Sequence, residues 1–360
     1  MLTISASHFK MKFTLFTFLA TALASPLGSD PPLGKYQWRT LAPIPSVRQE
    51  HVTVPLPNSS FAILGGIAPE PNANPPFSTT NLVQIYSIPA NTWRTASPMP
   101  LALNHPNAVA IGSKIYLLGG LAVDNTTGDW VASPRCFIYS SETDSWKETT
   151  PMPSGLARGS AAMGVYKENI FLAGGMDILQ PRVGGTQGTV SSVIAFNTKT
   201  EKWITDNLPE KAKNLPQSQG RDHAGAAVIG HTLFVLGGRD HGQENVKNTV
   251  FALDLQNLAK GWVVRNGTLP TARGGLAAAA VGNKVFTFGG EGNKQAETGV
   301  FDQTEVYDVV KDKWERLPPM KLPRHGTSAV AVGGKIYIPG GGTLQGGNPV
   351  DTLDVFERVG

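Results

Sequence analysis

Short apolar runs separated by tight turns recur along the chain. In the second repeat they fall at roughly residues 108–112, 114–119, 135–140 and 145–147. Gly112-Ser113 and Gly282-Asn283 suit turns joining the first two runs of a unit as antiparallel hairpins, and Glu142-Thr143-Asp144 and Lys311-Asp312 suit turns joining the last two. A diglycine follows the second run of each unit: Gly65-Gly66, Gly119-Gly120, Gly174-Gly175, Gly237-Gly238, Gly289-Gly290 and Gly340-Gly341, at intervals of 51 to 63 residues. In the third and fourth runs an aromatic residue precedes a Trp by seven positions, as in Tyr86/Trp93, Tyr139/Trp146, Phe196/Trp203 and Tyr307/Trp314. The fourth unit departs, with Leu253 at the aromatic position and a two-residue insertion that delays Trp262.

Four antiparallel strands per unit, repeated radially, predict an all-β propeller. Glycine is required at the diglycine, where the backbone turns sharply beside its neighbour. The Tyr and Trp positions are expected to bury apolar area between blades. Diglycine, aromatic and Trp in this register resemble the kelch repeat, over essentially all of the chain that follows the N-terminal segment. The last unit stops at Val355-Phe356-Glu357-Arg358 without a fourth strand, whereas an unmatched strand bearing Trp38 precedes the first diglycine. The N-terminal strand therefore completes the C-terminal blade and removes the exposed edges, which gives six blades in one domain spanning residues 33–360.

Composition narrows the setting. Charged residues are 16% of the chain, with no run of like charge. Lys10 and Lys12 precede an apolar stretch, residues 13–24, that ends in Ala22-Leu23-Ala24. Residues 1–24 read as a signal peptide, too short in its apolar part to span a bilayer. Its removal leaves 29 basic against 27 acidic side chains, so nucleic acid and an anionic membrane surface are not expected partners. The sequons at Asn58, Asn125 and Asn266 agree with export and predict a secreted glycoprotein, taken here as a monomer. One cysteine, Cys136, permits no internal disulfide and reads as a small buried hydrophobe.

Strand parity places the long connections, residues 67–81, 121–134, 176–191, 239–248, 291–303 and 342–350, on one face. Ionisable residues gather on the same face. Arg48, Arg158, Arg221, Arg273 and Arg324 stand 16 or 17 residues before a diglycine; His51, His105 and His223 stand 14 before theirs, and His325 stands 15 before. A ring of cations there would suit a carboxylate or phosphate. Arg221-Asp222-His223 and Arg239-Asp240-His241 come from one blade, so His223 or His241 could serve as general base, oriented by Asp222 or Asp240. Trp130, outside the repeat, could stack on a sugar or close a pocket.

No phosphate-binding glycine loop, nucleophile elbow or metal-ligand spacing is present, and equivalent histidines of different blades are expected to lie too far apart to share an ion. Galactose oxidase, a kelch-like propeller with copper, needs tyrosine ligands, and here every tyrosine is used by the repeat or lies off the working face. No metal or other cofactor is expected. Two functions follow. One is a binding module for a small acidic molecule, glycan or peptide. The other is a cofactor-free isomerase, mutarotase or cyclase, as the similar bacterial sialic acid mutarotases suggest at the level of fold. A concave mouth with shifted pKa values would favour the enzyme, and a flat face with exposed aromatics the binder.

Overall fold

Each diglycine enters the left-handed region because the second strand must end against the next blade. At Gly174 (φ +66°) a Cβ would stand 2.2 Å from the Arg221 carbonyl oxygen, and at Gly289 2.1 Å from that of Arg324. Neither contact is sterically possible, so the spacing of the diglycines is the spacing of blade-to-blade contacts. The computed structural model describes residues 34–72, 76–182 and 184–359, and the predicted signal segment lies outside them.

The strands form six antiparallel four-stranded blades. In the first, Val52–Leu56, Ser60–Leu64, Val83–Ser87 and Thr92–Ala96 pair in chain order. The sixth runs Val330–Val332, Lys335–Pro339, Leu353–Arg358 and then Tyr36–Thr40, with Trp38 opposite Phe356. The N-terminal strand thus closes the ring as its sequence requires. Residues from Lys35 onward form one compact unit.

The aromatic–Trp spacing is a cross-strand pairing. Tyr86 faces Trp93, Tyr139 faces Trp146, Phe196 faces Trp203, Leu253 faces Trp262 and Tyr307 faces Trp314. A short 3-10 turn, Leu258–Lys260, takes up the two-residue insertion of the fourth unit. Each of these indoles, and Trp38, donates Nε1–H across the blade boundary at 3.0–3.2 Å, to Ala42, Ser97, Thr150, Ala212, Gly267 and Pro318 carbonyls. Apolar clusters span neighbouring blades, for example Val54, Leu64 and Val83 with Ile115, Leu117 and Phe137. Cys136 lies buried, its thiol pushed up to about 12 by burial.

Several of the long connections carry strands of their own. Second and third strands of the second blade continue past the diglycine as Lys114–Val123 and Trp130–Ser140, with a register shift between Ser133 and Cys136. Met176–Leu179 and Gln187–Thr189 form a further hairpin that joins this sheet through Trp130↔Leu179. These segments bury their own apolar side chains, Ile67, Leu121, Trp130 and Met176, and that burial is what makes them strands.

Two alanine substitutions separate conformation from crowding. Gly174→Ala is expected to lose roughly 2–4 kcal/mol in urea unfolding, combining left-handed strain with overpacking. Gly112 is also left-handed (φ +62°) but nothing stands within 4 Å of its Cβ position, so Gly112→Ala loses only about 1 kcal/mol. Equal losses would refute the steric account.

Candidate functional site

Six residues, one per blade, turn the chain into the innermost strand. Glu50, His105, Ser160, His223, Gly275 and Gly326 all have φ between +49° and +63°. Their hydrogen bonds run around the axis. His105 N–H donates to the Glu50 carbonyl, Ser160 N–H to that of His105, and His223 N–H to Ser160 Oγ. Gly275 N–H donates to the His223 carbonyl, Gly326 N–H to that of Gly275, and Glu50 N–H to that of Gly326, which closes the ring. The preceding residue of each blade is bridged to the one after the diglycine, as in Gln49↔Ile67, Asp222↔Arg239, Gly274↔Glu291 and His325↔Gly342. Left-handed geometry costs a non-glycine residue roughly 1–2 kcal/mol. Four of the six positions carry a side chain nonetheless, and three of these are ionisable.

The arginines do not form the expected ring of cations at the mouth. Arg48, Arg158, Arg221, Arg273 and Arg324 are 0–1% exposed. Arg158 donates to the Gly174 and Ser192 carbonyls at 3.1 and 2.7 Å, and Arg48 to the Leu82 carbonyl at 3.1 Å. Arg221 bonds the Gly220 carbonyl and Thr249, Arg273 bonds Glu305 at 2.5 Å, and Arg324 bonds Asp354 at 2.9 Å. The break in the ladder around each diglycine leaves carbonyls that need donors, and arginine supplies them. Burial lowers Arg48, Arg158 and Arg221 to about 10, still charged at neutral pH.

His51 is likewise internal, packed against Gly66 and Gly340; burial and the nearby Arg48 charge push its imidazole down to about 3. The other three histidines converge. His105 Nε2 stands 3.2 Å and His223 Nε2 3.8 Å from Glu50 Oε2, and His325 Nδ1 stands 3.6 Å from Glu50 Oε1. The expectation that histidines of different blades lie too far apart fails here, because the left-handed ring turns Glu50, His105 and His223 together, their ligand atoms within 4.8 Å of one another.

Buried charges surround this group. Asp222 accepts from His223 Nδ1 at 2.6 Å, from Arg239 Nε at 3.1 Å, from Gln187 at 2.6 Å and from Thr189. Glu291 accepts from Arg239 and from the Gly346 N–H at 3.0 Å. Burial alone would raise both carboxyls. Donors and charge from His223 and Arg239 hold Asp222 below its ordinary range, and His325 and Arg239 do so for Glu291. Burial, then the His223, Arg239 and His325 charges, lowers His105 well below its ordinary value. Glu50 and His105 separate two cavities. One is a channel of about 240 Å³ walled by small residues such as Ala161, Ala224 and Ala277. The other is a basin of about 900 Å³ on the loop face, lined by the apolar Phe77, Trp130 and Leu179 and by the polar Arg182, Gln187, His241 and Gln243.

The two motifs of the fourth blade meet only in part. Asp222, His223 and Arg239 join the buried group. Asp240 and His241 pair at 2.6 Å on the basin rim with His241 exposed, and Arg221 turns away. Trp130 is packed edge-on against Phe77 and lies 5.8 Å from the His105 ring, so it walls the basin. Asn58, Asn125 and Asn266 are exposed. The sequence places Glu50 and Glu291 on this face without a role and names Arg239 only beside Asp240 and His241. Their signal was positional: Glu50 lies two residues after an arginine, as His223 does, and Arg239 and Glu291 each directly follow a diglycine.

Arg273→Met would leave the buried Glu305 only the exposed Arg316, 3.9 Å away, and is expected to cost about 3–5 kcal/mol, part of which Arg273→Met/Glu305→Gln recovers. A pH effect follows from His51. Its folded pKa lies below its ordinary 6.5, so the unfolded chain takes up the proton first. Stability is full above pH 6.5 and falls on acidification toward about 3, at up to about 1.4 kcal/mol per pH unit from this residue. Urea midpoints across that interval should show a shallower loss for His51→Gln; an unchanged slope would remove His51 from the account.

Residues 107–342 match the family model described as the KLHDC2/KLHL20/DRC7 Kelch-repeats domain. The chain is 38% identical over 338 residues to the Kelch-like protein terF of Aspergillus terreus, covering 93% of this chain and 70% of that protein. It is 24% identical over 260 residues to human Kelch domain-containing protein 3, covering 67% of this chain and 64% of that protein. Beta-scruin of Limulus polyphemus is 24% identical over 287 residues, which are 28% of its own length. With six diglycine-ended blades, six cross-strand aromatic or apolar–Trp pairs and a match of this extent, the chain belongs to the kelch-repeat family.

Proposed function

We propose that this kelch propeller is a secreted, single-domain glycoprotein that binds a small molecule or short glycan in the loop-face basin. Kelch propellers in general act as interaction scaffolds. The observation that carries the narrower reading is the basin itself, whose lining combines the apolar Phe77, Trp130 and Leu179 with polar side chains and with the charged Glu50, Arg239 and Glu291. About 900 Å³ is the size of a small-molecule site rather than of a protein-docking surface. Trp130 and Phe77 would cover the face of a ring, and Gln187, Gln243, His241 and Arg182 would bond its substituents. The exposed sequons and the N-terminal segment support passage through the secretory pathway. Among the described residues no helix is long and apolar enough to cross a membrane.

A second reading, acid–base conversion of the bound molecule, is favoured by the concave mouth with its lowered His105 and Asp222 and by Asp240–His241. This pair has the 2.6 Å contact of an oriented base and opens onto the basin.

A screen of sugars and small acids by thermal shift and turnover tests both readings, using protein recovered from culture medium and checked for glycan removal at the three sequons. A ligand at one hundred times its Kd stabilises the fold by about 2.7 kcal/mol. Gln243→Ala and His241→Ala are expected to weaken a hit about tenfold while the unliganded Tm holds. Hits that ignore both substitutions and Trp130→Leu would place binding elsewhere. Turnover surviving His241→Ala unchanged would remove the catalytic role, and protein retained in cells without glycans would remove the secretory one.

A further inference from the structure

We propose that Glu50, His105 and His223, with His325 as a fourth donor, bind one divalent transition-metal ion between the channel and the basin. The inference goes beyond ligand binding in the basin and does not depend on it.

The hydrogen bonds of the three imidazoles carry the argument. His325 Nε2 lies 2.8 Å from the Leu344 carbonyl oxygen, which can only accept, so Nε2 holds the proton. Nδ1 of His325 is then a lone pair. It is buried without a hydrogen-bond partner and faces Glu50 and Glu291 oxygens at 3.6 and 3.4 Å. His223 donates Nδ1–H to Asp222 at 2.6 Å, which leaves its Nε2 lone pair toward Glu50. His105 Nδ1 lies 2.6 Å from Asn104 Oδ1, and the Asn104 amide is oriented by donating to Thr79 Oγ1 at 2.7 Å. Its Nε2 lone pair therefore meets Glu50 Oε2 at 3.2 Å. The His105 and His325 acceptor nitrogens thus face an acceptor carboxylate with no donor between them, and the His223 nitrogen joins them, an arrangement that a cation at its centre would satisfy. Each nitrogen is oriented through the far side of its ring by a fixed acceptor, as metal-ligating histidines are.

Charge points the same way. Arg239 bonds Asp222 and Glu291, and Glu50 joins the same group through its contacts with His223 and His325, so three carboxylates share a single arginine. With neutral histidines a surplus of two negative charges is buried, which is costly without compensation. One divalent ion supplies it. Two imidazoles and a carboxylate suit zinc, cobalt or ferrous iron rather than magnesium or calcium. Donors around such an ion stand roughly 3.4 Å apart in a tetrahedral shell and about 4.2 Å across an octahedral one, so small ring rotations bring the three within reach. His223 Nε2 also accepts from Arg239 at 3.1 Å. Metal uptake displaces that bond, while Arg239 keeps Asp222 and Glu291.

The test is titration of the chelator-treated full chain with Co²⁺ and with Zn²⁺, read by calorimetry, by cobalt ligand-field absorption and by the metal-induced rise in Tm. One ion per chain is expected. Glu50→Gln and His105→Gln should lower its affinity by at least tenfold, and His325→Gln, outside the left-handed ring, should lower it as well. His231→Ala, on an exposed histidine, should change nothing. Urea midpoints without metal show that each variant is folded. Absence of saturable binding in the wild type would overturn the proposal, and so would folded Glu50→Gln and His325→Gln variants of wild-type affinity. Two histidine protons would then carry the compensating charge. Failure of the ligand screen leaves this measurement unaffected.

Discussion

The central constraint is the ring in which each blade's entry residue donates its backbone N–H to its neighbour and takes the left-handed conformation to do so. Antiparallel blades satisfy their own backbone groups, but a propeller has an inner mouth where six chain segments arrive from outside and must turn along the axis. One turn repeated six times, each bonded to the last, leaves no amide of the ring unsatisfied at the most crowded point of the molecule. The diglycines serve the same requirement from the other side. In five blades the second glycine's N–H is bonded to the carbonyl of the residue that opens the following blade's turn, as Gly175 is to Arg221 and Gly341 to Arg48.

This geometry explains two kinds of buried charge. The five arginines serve the scaffold: they donate to carbonyls exposed by the broken ladder and, except for Arg158, which takes the Ser192 hydroxyl, to one carboxylate or amide apiece. The six tryptophans do at the outer boundary what the entry residues do at the inner one, joining each blade to the next with an indole hydrogen bond, and Trp38 carries the join across the chain's two ends.

The second kind of charge belongs to no repeat position common to all blades. Glycine would satisfy the left-handed ring everywhere, as it does at 275 and 326, and would relieve the strain. The chain instead holds Glu50, His105 and His223 there, and surrounds them with Asp222, Arg239, Glu291 and His325. Side chains kept at strained positions, facing one another beneath a cavity, are what a site requires and a scaffold does not. Trp130 and the added hairpin of Met176–Leu179 and Gln187–Thr189 raise one wall above them and make the mouth a basin.

Most of the scaffold was legible in the chain itself. Diglycine spacing, the aromatic–Trp register and the unmatched strand at Trp38 each state a local steric or pairing requirement, and such requirements are written in neighbouring residues. The site was legible only as a place. Arg48 and His105 both stand ahead of an innermost strand, yet one is spent on carbonyls within its blade and the other faces the axis. That difference depends on which side of a left-handed turn a side chain leaves, two residues away. Nor could the sequence bring Glu50, His105, His223 and His325 together, for they are separated by up to 275 residues and meet only because the ring closes. Repetition determined the fold from sequence alone. Closure, which sets equivalent positions of different blades face to face around one axis, was decided by the tertiary structure.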